Sequence, residues 1–546
     1  MNIFHKIISG ALALCLLAGC SSGKIQESAS DKSVPETTAF SESTENTIPA
    51  ADWTEYTVPL LSIETKNQDP DVMDFVTKPV NRFVAESIAS WTPGYTVPEE
   101  PYYEDCTITL TDTDSTVLFN DVNAQVKVRG NWTTSYDKKP LRIKFEHKQN
   151  ILDLNNGAEM KNWLLLAEYK DASMLRNKAA LSIARELLKE DGLYAADAEL
   201  VEVEINNQYW GVYLLIEQQQ VNPSRINITE PAPNYTGTDI GYFLEFDGYF
   251  TNEDKLHGFS VDYADNAPLI PFDGNGGSGR TMKCLGESSS DPKKDVGITI
   301  KSDIYSEQQH DFISSYINNV YYIMYAAAYE NKAFVFDSDY SCITETSDIT
   351  PQEAVENVVD VQSLADMYII SELTCDADIY WSSFFMDVDF GEGGNGKLRF
   401  EAPWDFDSSM GNKDRCADGT GFYAANIVPD VNGGPGKGGE YETINPWLAV
   451  LIYEDWFQEI IREKWTSAYD GGIFDRTIEM IEHDKNQYSE AFERNYQRWN
   501  NLIDNPSFSG ELSKNAAACK NHSEAADYLS EWLQKRVAFL NDYWHK

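Results

Sequence analysis

The sequence predicts an α+β fold in two lobes, and three features of the chain support this. At 546 residues, the chain is longer than a single hydrophobic core normally serves, so two lobes or domains are expected behind an N-terminal leader. Hydrophobic residues make up 42% of it, which is enough for a large core. Strand-like patterns are concentrated in 105–218 and helix-like patterns in 219–546. We therefore expect a β-rich N-terminal lobe followed by a mainly helical C-terminal lobe with insertions.

The first twenty residues are typical of a bacterial lipoprotein signal. Lys6 supplies a positive start, and residues 7–17 form an apolar stretch too short to span a bilayer as a helix. The sequence Leu-Ala-Gly-Cys at 17–20 resembles a lipobox, in which cleavage precedes the cysteine and the Cys20 thiol carries lipid. The alternative is an ordinary signal with a chance cysteine. We expect an extracytoplasmic protein that is anchored to the bacterial membrane only by this lipid.

Two segments separate the signal from the first lobe. Residues 21–51 are rich in Ser, Thr, Glu and Pro and contain few apolar residues, which predicts a disordered linker. Residues 52–104 mix prolines with isolated aromatic residues and are assigned only as a lead-in. The linker would let the folded part stand away from the membrane.

Charge and cysteine content exclude some classes of function. Lys and Arg number 43 against 88 Asp and Glu, a net charge of -45, which opposes binding to nucleic acid. Beyond the leader and Cys20, the six remaining cysteines are scattered, and none has the spacing of a zinc site. Six cysteines allow about fifteen disulfide connectivities, and free thiols also remain open.

The N-terminal lobe is predicted from alternating and helical periodicities. Apolar residues alternate with polar ones at 124–128 and 141–145, which indicates two half-buried strands with Arg129 and Lys144 on polar faces. A helix is expected at about 172–189. Strands at 200–205 and 210–216 flank Asn-Asn-Gln, which indicates a hairpin.

The second half of the chain has mainly helical signals. Residues 219–303 have little regular pattern, and the glycine run at 274–279 is interpreted as a surface loop, because it lacks the Gly-Lys-Ser/Thr ending and the preceding strand of a phosphate-binding loop. Helices are expected at 307–329, 361–373, 448–465, 476–499 and 525–544.

Two groups of acidic residues interrupt this helical half. Asp378 follows a helix-like run, and Pro-Trp-Asp-Phe-Asp at 403–407 follows a strand-like run. Carboxylates on two loops can hold a divalent metal beside a nucleophile that must lose a proton. The arrangement is typical of a phosphoryl-transfer site.

Seven motifs follow one another in a fixed order: Val-Arg-Gly-Asn-Trp (128–132), Lys-Lys-Pro-Leu-Arg-Ile-Lys-Phe (138–145), Trp-Leu-Leu-Leu (163–166), Asp171 with Arg-Asn-Lys (176–178), Tyr-Trp-Gly-Val-Tyr-Leu-Leu-Ile-Glu (209–217), Gly-Tyr-Phe-Leu-Glu-Phe-Asp (241–247) and Pro-Trp-Asp-Phe-Asp (403–407). Together they resemble the spore coat protein H (CotH) kinase family over roughly 105–545. The resemblance implies an atypical protein-kinase-like fold, in which a β-rich lobe and a helical lobe hold ATP with Mg²⁺ or Mn²⁺. It also implies transfer of phosphate to Ser or Thr of a protein at the cell envelope or spore coat.

The resemblance assigns roles to the acidic residues. Asp378 is the candidate catalytic base, although it could instead be a capping or loop aspartate just past the helix end, and Asp376 competes for either role. Asp405 is the preferred metal ligand and Asp407 the second. Where a kinase catalytic loop has a metal-binding Asn, this chain has Ser383, a poorer oxygen ligand.

The resemblance also assigns a nucleotide-binding set. Lys144 on the polar face of its strand is the candidate phosphate-binding cation, with Lys139 and Arg129 as companions. Glu217 ends the hairpin where a kinase hinge would meet adenine, although its side chain could be structural. Of the remaining motif positions, Asp171 and Arg176 could equally form a salt bridge that orients the helix, and Asn412 could serve only a turn.

Two other classes of function remain open. The departure at Ser383 allows a weak or inactive kinase-like surface module used for adhesion, scaffolding or carbohydrate-associated assembly. The 13 Trp and 30 Tyr of the chain are compatible with sugar binding, although most of them are expected in the core. Paired carboxylates could also serve a glycosidase, but the basic residues near the strand argue against this class.

Overall fold

A computed structural model describes most of the chain after the linker. The described residues are 56–66, 102–130, 132–274, 279–284, 296–414, 417–429, 442–499 and 512–546, with scattered positions between 80 and 99. The predicted signal peptide and linker, the predicted lipid site Cys20 and most of the glycine loop at 274–279 lie outside the described residues.

Seven strands close into a barrel at the N-terminal end of the described chain. Their order around the barrel is β1-β2-β3-β4-β5-β7-β6. All neighbours are antiparallel except β6 and β1, which pair in parallel and complete the closure. The strands are β1 (Leu60–Thr65), β2 (Glu104–Thr111), β3 (Val117–Val128), β4 (Leu141–Gln149), β5 (Met160–Leu166), β6 (Ala198–Ile205) and β7 (Gln208–Glu217).

Barrel closure depends on β1, which lies inside the segment assigned only as a lead-in. Leu61 and Ile63 of this strand point into the barrel and are fully buried. In the parallel pairing, Leu60 lies opposite Glu202 and Ile63 opposite Ile205. A pairing between residues so distant in the chain leaves no local periodicity that would indicate a closed barrel.

The predicted hairpin and the predicted helix are both present. Asn206 and Asn207 link β6 to β7 with left-handed backbones, φ 52° and φ 60°, as a type I′ turn requires. The predicted helix is α1 (Arg176–Glu190), and it begins later than expected because the backbone before it folds around the Asp171 carboxylate.

A second sheet has five strands, three of which lie within 219–303, where little regular pattern was predicted. Its order is β16-β15-β8-β12-β9, with β8 (Gly241–Asp247) at the centre. All seven residues of β8 are buried, so the strand has no alternation that sequence analysis could detect. Its neighbours are β9 (Gly258–Phe259), β12 (Gly297–Ile300), β15 (Phe384–Asp389) and β16 (Arg399–Phe400).

Three two-stranded ribbons complete the strands of the described chain. Each pairs antiparallel strands of two to four residues. They are β10 (Pro268–Leu269) with β11 (Met282–Lys283), β13 (Ala333–Phe336) with β14 (Ile343–Thr346), and β17 (Val428–Pro429) with β18 (Glu442–Thr443).

Helices dominate the chain beyond residue 306. Each of the helices predicted at 448–465 and 476–499 is divided into two, and α2 continues into a π-helical turn, Ala326–Glu330. The helices are α2 (Glu307–Tyr325), α3 (Pro351–Glu356), α4 (Val361–Thr374), α5 (Pro446–Ala449), α6 (Asp455–Asp470), α7 (Ile473–Gln487), α8 (Ser489–Arg498), α9 (Lys514–Ala518) and α10 (His522–Trp544). The molecule is therefore a mixed α/β protein with a β-rich N-terminal region and a helical C-terminal region.

Buried charges join the barrel to the helical region. Arg494 of α8 binds both carboxylate oxygens of Glu202 in β6, at 2.8 and 2.6 Å. Next to this pair, the Asn495 side-chain oxygen accepts a hydrogen bond from Lys138 Nζ at 2.9 Å, and burial lowers the pKa of Lys138 to about 7. Removing one member of a buried ion pair usually costs about 3–5 kcal/mol, so these contacts fix how the helices sit on the barrel.

Two further observations concern membranes and thiols. Across the residues that the structure describes, no helix is both long enough and apolar enough to cross a bilayer. Within those residues, Cys106, Cys284, Cys342 and Cys519 are free thiols.

One buried histidine predicts acid sensitivity. His522 stacks on Phe492 with ring centroids 3.6 Å apart, and its Nε2 donates to the Ser173 carbonyl at 2.7 Å. Burial lowers the pKa of His522 to about 4, from 6.5 in the unfolded chain. Between these values the unfolded chain binds more protons, so stability falls as pH drops from 6.5 to 4, by about 3 kcal/mol.

Denaturant unfolding of wild type and His522→Gln across this pH range checks this prediction. The amide of Gln keeps a donor for the Ser173 carbonyl but has no proton to gain, so the variant should lose that part of the pH dependence. The exposed His483→Gln is the matched control and should follow wild type. Parallel pH profiles for wild type and His522→Gln would contradict the assignment.

Candidate functional site

Three aspartates from two loops converge on one point. One carboxylate oxygen from each of Asp378, Asp405 and Asp407 lies within 4.8 Å of the other two. We call these three residues the carboxylate cluster. Because anionic oxygen atoms are the ligands that hard divalent cations prefer, this donor set fits Mg²⁺ or Mn²⁺.

The loop that follows α4 places Asp378. The helix ends at Thr374, and its C-cap Cys375 has a left-handed backbone with φ 50°, after which the chain turns sharply. Asp376 is 3% exposed and its carboxylate accepts the Asp378 backbone N–H at 3.0 Å. The carbonyl of Asp378 accepts N–H groups from Trp381 and Ser382 at 2.8 and 3.0 Å. Asp376 therefore holds the turn that presents Asp378 to the cluster.

The loop that follows β16 places the other two carboxylates. Asp405 has a left-handed backbone with φ 69° and ψ 56°, and it leads into a single 3-10 turn, Phe406–Ser408. Asn412 is buried and its side-chain amide donates to the Asp407 carbonyl at 2.7 Å and to the Lys170 carbonyl at 3.2 Å. Asn412 thus ties this loop to the segment before α1.

Like charges dominate the electrostatics of the cluster. The pKa of Asp405 is well above its ordinary value, first because the group is buried and then because Asp407 and Asp378 repel its charged form. Lys170 and Arg129 act in the opposite direction on the same carboxyl. A divalent cation would relieve this repulsion, which is a second reason why the cluster fits one.

Two cations lie beside the cluster. Lys170 Nζ is 3.7 Å from Asp407 Oδ1 and also donates to the Ser408 hydroxyl. The Arg129 guanidinium lies over the Trp404 ring, 5.9 Å from its centroid, and its charge interacts with Asp405 and Glu245. Arg129 was predicted from the sequence. Lys170 was not predicted, because no sequence pattern around it shows that the turn after β5 places its side chain beside the cluster.

Ser383 belongs to a second polar group at the edge of the site. Its backbone is left-handed, with φ 62°, and its N–H donates to Glu245 Oε1 at 2.9 Å. Lys301 Nζ binds the other oxygen of Glu245 at 3.0 Å. Glu245 and Lys301 were also missed, although Glu245 lies within the motif at 241–247.

Two lysines of the predicted nucleotide-binding set, Lys139 and Lys144, have surroundings other than the carboxylate cluster. Lys139 Nζ donates to the Thr134 and Tyr136 carbonyls of its own loop, and burial lowers its pKa to about 8. Lys144 lies exposed on the outer face of β4, opposite Asn162 of β5. No contact between described residues brings either lysine to the carboxylate cluster.

Glu217 is fully buried at the end of β7. Its carboxylate binds Arg225 Nε at 2.9 Å, and it also accepts from the Asn155 amide and the Asp197 N–H, both at 3.0 Å. These contacts hold together the turns at the end of the barrel. Both oxygens of the Glu217 carboxylate are therefore engaged by neighbouring residues of the protein.

Asp171 and Arg176 form a salt bridge, which was one of the two roles that sequence analysis left open for them. Both side chains are almost completely buried, and Arg176 Nη1 binds Asp171 Oδ1. The other Asp171 oxygen accepts the backbone N–H groups of Leu175 and Arg176, at 3.1 and 2.9 Å. The pair fixes the start of α1 next to the cluster.

Comparison with known proteins identifies a family. A sequence model of the family described as CotH kinase protein matches residues 126–540, which is well over half of the chain. The match begins inside β3, so β1 and β2 complete the barrel from outside the matched region. A search of curated proteins found no significant match. On the extent of the family match, the chain belongs to the CotH kinase family.

Proposed function

We propose that this chain is a protein kinase that transfers the γ-phosphoryl group of ATP to a Ser or Thr hydroxyl of a cell-surface or spore-coat protein. The observation that carries the proposal is the convergence of three aspartates from two loops, with Lys170 and Arg129 beside them. Family membership supports the same reaction class. The β-rich region and the helical region would then be the two lobes of an atypical kinase-like fold.

Asp405 and Asp407 are the residues that would hold Mg²⁺ or Mn²⁺. A divalent cation supplies charge neutralisation for the β- and γ-phosphates when it is bound. Lys170 and Arg129 provide fixed positive charge at the same place, so they would contact the phosphates that Lys144 was predicted to bind. Carboxylate oxygens beside fixed cations are the groups that a metal-bound phosphate needs.

Asp378 would act as the catalytic base. A protein hydroxyl attacks the γ-phosphorus, a new O–P bond forms, and the bond from that phosphorus to the β–γ bridging oxygen breaks. The hydroxyl proton passes to the Asp378 carboxylate, and ADP leaves with the bridging oxygen. The hydrogen bond that the Asp378 N–H donates to the Asp376 carboxylate fixes the base in place for this transfer.

Ser383 supports a second candidate function, a catalytically weak or inactive surface module for adhesion, scaffolding or carbohydrate-associated assembly. The backbone N–H of Ser383 binds Glu245, and a serine hydroxyl replaces the carboxamide expected of a second metal ligand. As part of either proposal, we place the protein outside the cytoplasm, anchored through lipid on Cys20.

Metal binding provides the first test. Mn²⁺ at 100 times its dissociation constant should stabilise the wild type by about 2.7 kcal/mol, because the ion binds only the folded state. Asp405→Asn should lose this shift. In EDTA the same variant should be more stable than wild type, by roughly 1 kcal/mol, because it removes a repelled carboxylate.

Thermal unfolding with and without Mn²⁺ measures both effects. The matched control is Asp348→Asn on the exposed surface, which should keep the metal-induced shift of the wild type. If Asp405→Asn and wild type respond equally to Mn²⁺, the carboxylate cluster is not the metal site.

Phosphate transfer provides the second test. With radiolabelled ATP, Mn²⁺ and a generic Ser/Thr-rich protein acceptor, Asp378→Asn should lower kcat by about 100-fold or more, because it removes the proton acceptor. Its affinity for Mn²⁺-ATP should change much less, since Asp378 is assigned to the hydroxyl and not to the phosphates. Wild type that binds Mn²⁺-ATP but transfers no phosphate to protein or water would favour the inactive module, and equal transfer by Asp378→Asn would remove its role as base.

A further inference from the structure

Asn177, on the first turn of α1, connects the carboxylate cluster to the body of the protein. Its side-chain oxygen accepts the backbone N–H of Phe406 at 2.8 Å. Phe406 directly follows Asp405, whose left-handed backbone is uncommon for a residue with a β-carbon. The hydrogen bond from Phe406 therefore holds the loop in the conformation that aims Asp405 at Asp378 and Asp407.

Glu168 determines which way the Asn177 amide faces. The Asn177 NH₂ group donates to both carboxylate oxygens of Glu168, at 3.0 and 3.2 Å. A flipped amide would place its oxygen against the carboxylate and its NH₂ against the Phe406 N–H, so both contacts would be repulsive. Both side chains are at least 95% buried, so the loss of either bond would leave a buried polar group without that partner.

We infer that Asn177 is a positioning residue for Asp405 and that Glu168 acts through it. Neither side chain belongs to the carboxylate cluster, and the two form a relay from the turn after β5 to the metal-binding loop. This inference rests on the proposed function, because it explains how the loop offered as the metal site keeps its shape. It also explains why Arg-Asn-Lys at 176–178 and the acidic loop belong to one site.

Exchanging the amide of Asn177 and the carboxylate of Glu168 tests whether their hydrogen bonds position the loop or whether the two side chains only fill space. Asn177→Asp keeps an oxygen that could accept the Phe406 N–H, but its second carboxylate oxygen faces the Glu168 carboxylate. Repulsion between the two carboxylates should displace the side chain, so the loop should lose its support. Adding Glu168→Gln restores a donor opposite an acceptor and returns the total charge to that of the wild type. Asn177→Leu removes both hydrogen bonds at similar side-chain volume.

Isothermal titration of the full chain with Mn²⁺ is the primary readout, with phosphate transfer as the second. Asn177→Asp and Asn177→Leu should each weaken Mn²⁺ binding at least about tenfold, and the Glu168→Gln/Asn177→Asp double variant should recover to within about threefold of wild type. Asn206→Asp is the matched control, a buried amide on the barrel that bonds to Thr65, and it should bind Mn²⁺ like the wild type.

The outcomes separate this inference from the proposed function. If wild type binds no Mn²⁺, the proposed function fails. If wild type binds Mn²⁺ and folded Asn177→Asp or Asn177→Leu binds it equally well, the positioning role is overturned. A folded double variant that stays as weak as Asn177→Asp would also overturn the relay, and this variant decides the question if the single variants do not fold.

Discussion

The interaction on which the site depends most is the buried salt bridge between Asp171 and Arg176. Both side chains are at most 1% exposed, and Asp171 also accepts the N–H and hydroxyl groups of Ser173. A buried carboxylate with this many donors has one stable arrangement, because losing any partner leaves an unpaired charge or a polar group away from water. The salt bridge thereby fixes the path of the chain between β5 and α1.

The segment at 168–177 meets both the acidic loop and the C-terminal helices. On one side, Lys170 contacts Asp407 and Asn177 holds the backbone that follows Asp405. On the other side, His522 of α10 donates to the Ser173 carbonyl, and Tyr496 of α8 donates to the Ala172 carbonyl. The segment at 168–177 thus joins the acidic loop to the C-terminal helices α8 and α10.

Sequence analysis identified the acids that meet but not all of the cations around them. Asp378 and Asp405 follow elements whose local periodicity marks where each ends, so a shared cluster could be expected. Lys144 was chosen because it lies on a polar face, but which part of the barrel faces the acids depends on its closure by β1 and β6, which are far apart in the chain. Lys170 and Glu245 were missed because only the tertiary fold brings them close to the loops that carry the acids.

The central claim is that the carboxylate cluster binds metal and that the cations beside it bind phosphate. Crystals grown with MnCl₂ and a non-hydrolysable ATP analogue, measured at the manganese absorption edge, test it most directly. The account predicts an anomalous peak within about 2.5 Å of carboxylate oxygens of Asp405 and Asp407, with the nucleotide phosphates next to Lys170 and Arg129. A nucleotide bound elsewhere, or an ordered Mn²⁺ away from these carboxylates, would contradict it.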